Sequence, residues 1–375
     1  MSNQKYDMMR LRAAGDPKRL EEILQEECRE KTRDKLPQTL LCDGFRFPTR
    51  LSAEQCTSDS LAEQHSLLVK PGSDVLDMTC GLSIDTFHIA RRAARVTAID
   101  IHPKVAEAAR DNARALGLTN VDVICADSVA WLAESDRHFD VIFIDPARRA
   151  SDGRRLRALA DCSPDVTSCL GLLKERSDKL IIKASPMLDV AMTLKELGGD
   201  ADIVVYGTKG ECKELTAIVP GRGQITVTTP GHADFSFTLA EEAAASAQQA
   251  FPAEGDLLFE PSAAAMKAGA FSLLASHFGL KKIDKNTHLY LGASPIEDFP
   301  GISRRIVRAE RYSKHISPDM KSLLADGADV AVRNFPLTAE ALASKLGITR
   351  GGDGRRRLYG VRCESAKLLL MTATD

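Results

Sequence analysis

Apolar positions repeat in two ways along this chain. From Asp74 onward, short apolar runs bounded by turn residues alternate with segments of helical period. The runs are VLDM, VTAID closing on Asp100, VDVIC closing on Cys125, FDVIFID closing on Asp145, and KLIIKA closing on Ala184. Helices are predicted between them around 85–94, 103–116, 165–175 and 189–197, with a short one after Asp127. Runs apolar on both faces, separated by helices, predict a parallel sheet covered on both sides. Two later strands, DIVVYG and ELTAIV, are joined only by TKGECK. That is too short for a helical crossover, so the pair is expected to be antiparallel.

Outside this region the pattern changes. Residues 5–35 read as helical and end before Pro37; Phe45–Thr57 is broken by Pro48, and an apolar-periodic helix over 60–69 follows. After Pro220 come strands QITVTT and DFSFTL, an Ala-rich helix, and the segment LLFEPSAAAMKAGAFSLLA. From Arg304 the order is strand RIVRAERY, helix PDMKSLLA, strand ADVAVRNF, helix TAEALASKLG, a Gly-rich turn, then strands RLYGVR and KLLLMTA. That βαβαββ order predicts a small α+β domain.

Composition narrows the class. At 375 residues the chain is long enough for two or three domains. No apolar run approaches the roughly 20 residues of a membrane helix. The polar start MSNQKYDMMRLRAAGD lacks the apolar core of a signal peptide. Nine cysteines are scattered, with no CxxC and no metal-ligand spacing. Reduced thiols in a cytoplasmic protein fit that usage better than a disulfide framework or a metal site. The net charge of −2 says nothing of a polyanionic partner, but its distribution does. Residues 304–375 hold fourteen Lys and Arg against eight acids, with Arg355, Arg356 and Arg357 together on the Gly-rich turn. Such a segment suits a phosphate backbone, the plain alternative being a solvated charged surface.

Candidate chemistry gathers after the first four strands. Asp77-Met-Thr79-Cys-Gly81-Leu-Ser-Ile84-Asp85 follows a strand and opens a helix. A phosphate cradle would want glycines without carboxylates, so these acids suit a cationic ligand such as the amino-acid end of S-adenosylmethionine. An ordinary strand–helix turn is the alternative. Asp100, at the end of the next strand, stands where a carboxylate can accept both hydroxyls of a ribose. Asp127 and Ser128 could meet an adenine amine or simply cap the helix SVAWLA. Asp145 and Pro146 close an apolar strand at the edge where ligands bind in such sheets. The Asp145 carboxylate and the Pro146 carbonyl could together hold an exocyclic NH2. Arg148 and Arg149, with Arg154, Arg155 and Arg157, form a basic rim or a solvated charge run.

Four acids after four successive strands resemble the site of class I S-adenosylmethionine-dependent methyltransferases. The terminal antiparallel pair fits that family better than it fits dinucleotide-binding dehydrogenases. DPARR (145–149), with FPTRLSAEQCTSD, SPMLD, ECKEL, FEPSAAAMKAGAF and RNFPL, is similar to a bacterial subgroup carrying a C-terminal THUMP-like domain. The loop LDMTCGLSIDTFHIA is also similar to the D-x-T-x-G-L-G-R-D loop of small-subunit rRNA guanine-N2 methyltransferases. The resemblance implies a Rossmann-like seven-stranded sheet. Its implied divisions are an N-terminal helical segment (1–60), a methyltransferase domain (61–220), a small ferredoxin-like α+β domain (221–303) and a THUMP-like domain (304–375). It implies S-adenosyl-L-methionine as cofactor. Asp77, Thr79, Gly81, Ile84 and Asp85 would surround its methionine part, Asp100 and Ile101 its ribose, and Asp127 and Ser128 its adenine. Asp145 and Pro146 would then be catalytic and RNA, ribosomal or transfer, the partner, met by Arg148, Arg149 and Arg355–Arg357. Residues 54–58 would cap the donor or target, unless Thr57 or Ser58 merely starts the next helix. Two departures stand out: Ser83 replaces a glycine, and Arg148 replaces the aromatic of the usual D/N-P-P-Y/F motif.

Overall fold

The computed structural model of the chain describes residues 2–148, 158–208, 210–313, 315–325, 327–348 and 354–374. Arg149, Arg154, Arg155, Arg157, Lys314 and Arg350 lie outside these residues, as does the side chain of Arg148. Two compact units result: Met1–Leu188 with Lys195–Gly198 and Ala217–Pro220, and Asp189–Leu194 with Gly199–Thr216 and Gly221–Asp375. Among the described residues, no helix is long and apolar enough to cross a membrane.

In the first unit, β1 (Asp74–Asp77), β2 (Arg95–Asp100), β3 (Val121–Cys125) and β4 (Val141–Ile144) are mutually parallel neighbours. A two-residue ladder pairs β5 (Ala147–Arg148) with β6 (Cys162–Ser163), and β7 (Leu180–Ala184) runs parallel to β4. The central strands are buried along their whole length, as the apolar runs required. Parallel strands end on the same edge, so Asp77, Asp100, Asp145 and Lys183 share it, with Asp127 just past β3.

The sheet has nine strands rather than the seven expected. Its order continues through β8 (Asp202–Gly207), β9 (Cys212–Val219), β10 (Gln224–Thr228) and β11 (Phe235–Thr238), as β11-β10-β8-β9-β7-β4-β1-β2-β3. The addition is QITVT, which pairs parallel to β8, and FSFT, which folds back antiparallel on it. Asp202 secures the join: its Oδ1 accepts from Arg222 N at 2.7 Å and Gln224 N at 2.9 Å. β8 and β9 are neighbours joined by a tight connection in which Thr208 N donates to Glu211 O.

The N-terminal helices do not form one rod over 5–35. They run Ser2–Arg12 and Pro17–Thr32. Gly15 turns the chain at φ +94°, Asp16 caps the second helix by accepting from Arg19 N, and Pro17 supplies its first turn. Cys28, Leu36, Phe45 and Phe47 share one core with Ile84, Phe87 and Ala113, so the segment packs directly beneath the first loop of the sheet.

In the second unit, β12 (Leu257–Pro261), β13 (Lys281–Asp284), β14 (Thr287–Gly292), β15 (Gly301–Arg311), β16 (Asp329–Arg333), β17 (Arg356–Cys363) and β18 (Ala366–Ala373) form one sheet. Its order is β13-β14-β12-β15-β18-β17-β16. Helices Pro318–Leu324 and Ala339–Leu346 pack on it through Met320, Leu324 and Leu342, giving the βαβαββ order read from the pattern.

Candidate functional site

The loop after β1 holds the carboxyl ends of the strands together. Asp77 closes β1 and is buried; its Oδ1 accepts from Thr79 N at 3.1 Å and its Oδ2 from Thr86 Oγ1 at 2.5 Å. Burial pushes this carboxyl up to about 7, against the two hydrogen bonds that favour its ionised form. Thr79 Oγ1 accepts from Asp145 N at 2.7 Å, tying the end of β4 to the loop. Gly81 turns at φ +51° and donates its N–H to Asp100 Oδ2 at 3.1 Å. Ser83 has φ +65°, the left-handed conformation that favours glycine. The serine therefore keeps the glycine-like path of the loop and starts the helix Ile84–Ala90.

The residues expected around a donor differ in exposure and in hydrogen bonding. Asp100 is half-exposed at the end of β2, its second oxygen accepting from His102 N at 2.8 Å, and Ile101 beside it is exposed. Asp127 Oδ1 caps the helix Ser128–Glu134, accepting from Val129 N and Ala130 N at 3.0 Å, and the carboxylate stays exposed. Ser128 is buried at the start of that helix. Ile84 is buried in the core under the loop. An exposed apolar side chain, two accessible carboxylates and a glycine turn at one sheet edge are a donor set that fits a nucleoside with a cationic tail.

Asp85 is not a free acid in this arrangement. It accepts from Thr57 Oγ1 at 2.5 Å and from Lys183 Nζ at 3.1 Å, and His65 Nδ1 lies 2.7 Å from its other oxygen. Burial works against its ionised form, but Lys183 and His65 outweigh that and hold the carboxyl well below the usual carboxylate range. Lys183 ends β7 with only 4% of its surface exposed. Its ammonium also donates to Thr57 Oγ1 and to Asp145 Oδ2, each at 2.7 Å. Asp145 itself is largely exposed, and its Oδ1 has no partner among the described residues. Pro146 after it is buried.

Sequence reasoning missed Lys183 and His65. The signal for Lys183 was present as one charged residue inside the apolar run KLIIKA. His65 sits on the helix Asp59–Leu67 with nothing in its neighbours to mark it. The two readings of 54–58 separate residue by residue. Ser58 caps that helix, accepting from Leu61 N, whereas Thr57 belongs to the network around Asp85.

The basic turn of the second unit is only partly surface. Arg357 is paired with the buried Glu260 at 2.9 Å and lies 3.7 Å from Asp329. Arg356 donates to Leu323 O at 2.8 Å, and Arg355 is exposed. Glu260 also accepts from Tyr359 Oη at 2.7 Å and Arg333 Nη2 at 2.5 Å, so RNFPL and FEPS meet at one carboxylate. Of the three arginines expected to face phosphates, Arg357 is held against the buried acid.

Comparison with known proteins bears on the fold and on the class of its domains. Residues 75–163 match the methyltransferase domain family and residues 257–300 a ferredoxin-like domain. A crystal structure from Porphyromonas gingivalis W83, provisionally classed as a methyltransferase, superposes with a TM-score of 0.86 at 28% identity, covering 95% of this chain and 90% of that one. An uncharacterized RNA methyltransferase of Gloeobacter violaceus is 34% identical over 131 residues, 32% of this chain and 28% of its own length. The 23S rRNA (uracil(1939)-C(5))-methyltransferase RlmD of Pectobacterium carotovorum is 32% identical over 133 residues, 33% of this chain and 29% of its own. The chain thus spans under a third of the length of these curated relatives. It carries a methyltransferase domain with the fold of S-adenosylmethionine-dependent enzymes, followed by an antiparallel α+β part that includes a ferredoxin-like segment.

Proposed function

We propose that the chain methylates RNA, ribosomal or transfer, at an exocyclic amine such as guanine N2, using S-adenosylmethionine. The observation that carries this reading is Asp145: a carboxylate at the carboxyl edge of the sheet, fixed through one oxygen and through its backbone N–H, with its other oxygen unpartnered among the described residues. An amine N–H can be accepted by that Oδ1 while the Pro146 carbonyl accepts the second, which aims the nitrogen lone pair. The bound donor supplies a sulfonium methyl group for in-line displacement. The protein's part is then to orient the acceptor, exclude water and accept its hydrogen bonds, with no covalent step of its own.

The curated relatives named as RNA methyltransferases support an RNA acceptor, and one acts on uracil C5. A carbon acceptor of that kind needs a thiolate to add to the ring. The thiols of Cys56 and Cys80, flanking the loop, are both pushed up by burial, Cys80 strongly. Cys125 closes β3 on the same edge with its Sγ directed to Ile101 O at 3.8 Å, whereas the Asp145 carboxylate and the Lys183 ammonium are joined to each other there, which favours a heteroatom acceptor.

Asp100 and Ile101 would hold the ribose and Asp127 and Ser128 the adenine. Asp77, Thr79 and Gly81 shape the turn around the methionine part, with Ile84 and Asp85 supporting it. The test is to delete the gene and compare methylated nucleosides of ribosomal and transfer RNA by mass spectrometry. We expect one nucleoside to disappear, to return with the wild-type gene, and not to return with Asp145→Ala. Purified Asp145→Ala should still bind S-adenosylhomocysteine in a calorimeter. An unchanged nucleoside profile would overturn the RNA reading and favour a small-molecule or protein acceptor, or an RNA-binding protein without catalysis.

A further inference from the structure

We infer that Lys183 is a positioning residue of the transfer site: its ammonium fixes Asp145 so that one oxygen alone meets the acceptor, and ties that carboxylate to Asp85 on the donor side. The inference rests on the reading of Asp145 as the acceptor-side carboxylate. A lysine ammonium has three N–H donors. Here there are three acceptors at hydrogen-bond distance: Thr57 Oγ1 at 2.7 Å, Asp145 Oδ2 at 2.7 Å and Asp85 Oδ2 at 3.1 Å. Burying a charge is costly unless it is paired and hydrogen-bonded, and Lys183 meets that condition completely.

The pairing has a direction. Asp85 is enclosed, held also by His65 and by Thr57, so it is the fixed end of the bridge. Asp145 is exposed through its side chain and would otherwise rotate about its two side-chain torsions in solvent. Lys183 on Oδ2 removes that freedom, while Thr79 on the backbone N–H fixes where the side chain starts. Asp145 is thereby held from β7 and from the loop after β1, the two elements on either side of β4. The ammonium also lies between two carboxylates that would otherwise face each other unneutralised. Each of its protons already has an acceptor, so its part is that of a tether and not of a base.

Removing the bridge should therefore act on turnover more than on binding. Lys183→Met keeps the apolar stem and deletes the three donors; Lys183→Arg keeps the charge in a different geometry. The full chain is assayed with tritiated S-adenosylmethionine on RNA from cells lacking the gene. Loss of alignment is expected to lower kcat of Lys183→Met by about 100-fold. Affinity for S-adenosylhomocysteine and the KM for RNA should stay within about threefold of wild type. Lys183→Arg should recover part of kcat. A kcat close to wild type, or a fall in donor affinity equal to the fall in kcat, would overturn the proposal. The crystal structure of Lys183→Met gives a reading independent of substrate. The Asp145 carboxylate should leave its wild-type rotamer while Asp85 keeps its bonds to His65 and Thr57. If wild-type protein labels no RNA, the RNA reading falls and Lys183 is judged on this structure alone. An Asp145 that keeps its rotamer then sinks the inference.

Discussion

Two acids eight residues apart, Asp77 and Asp85, show how little a carboxylate in a sequence says about its state. Both are buried, yet Asp77 has only neutral donors and is pushed up to about 7, while Asp85 faces Lys183 and His65 and is driven the other way. The sign of the stability effect follows. Asp77 binds a proton more readily in the folded chain than in the unfolded one. Its contribution is fully present below the ordinary carboxylate value and is lost as pH rises toward about 7. Asp77→Asn should therefore melt higher than wild type at pH 8, and the gap should close as pH falls toward 5. The size is on the order of 1.4 kcal/mol for each unit of difference, so a few kcal/mol at most. Thermal melts across that range check it; a gap that is constant with pH would show that Asp77 is ionised throughout. The four acids were legible because each stands at or just past the end of an apolar run. The cations that meet Asp85 were not, since Lys183 comes from a strand about a hundred residues away.

Elements were read correctly where a period and a stop signal coincided, and misread where a stop was passed over. Gly15-Asp16-Pro17 carries a helix terminator, an N-cap and a first-turn proline in three consecutive residues, and the chain breaks there. Continuous helical composition across 5–35 hid it. Asp16→Ala removes the acceptor for Arg19 N and should cost about 1 kcal/mol, a typical N-cap loss. The denaturation midpoint should fall accordingly, while binding of S-adenosylhomocysteine should not change. The extra sheet strands were misplaced for a different reason. QITVT and FSFT alternate as strands should, but nothing in an alternating pattern names the neighbour a strand will pair with. Their attachment to β8 depends on the turn that Asp202 secures, a contact between residues 20 and 22 apart. Ser83 belongs here too: a serine in a glycine's place reads as a departure, yet the backbone adopts the glycine's φ and the loop keeps its course.

At the scale of the whole molecule, charge counting found the basic segment but could not see which of its charges are already taken. Glu260 is buried and holds Arg333, Arg357 and Tyr359, and Arg308 is drawn to Glu254 and Asp319. Arg311, Arg362 and Lys367 remain exposed. These two groups should behave oppositely. If the exposed set meets a phosphate backbone, each side chain neutralises one phosphate and releases counterions. Arg362→Ala should then lower the slope of log affinity against log salt by about one. Its melting temperature should match wild type, because the residue is on the surface. Arg357→Ala deletes one of the cations beside a buried carboxylate, and breaking such a pair costs about 3 kcal/mol or more. It should lower the melting temperature clearly and, at a temperature where the variant is still folded, leave the salt slope unchanged. Filter binding of ribosomal and transfer RNA at several salt concentrations, run beside thermal melts, measures both quantities on the same proteins. A salt slope that falls for Arg357→Ala but not for Arg362→Ala would mean that the paired arginine is released from Glu260 to meet RNA. The buried carboxylate would then be the switch rather than the anchor.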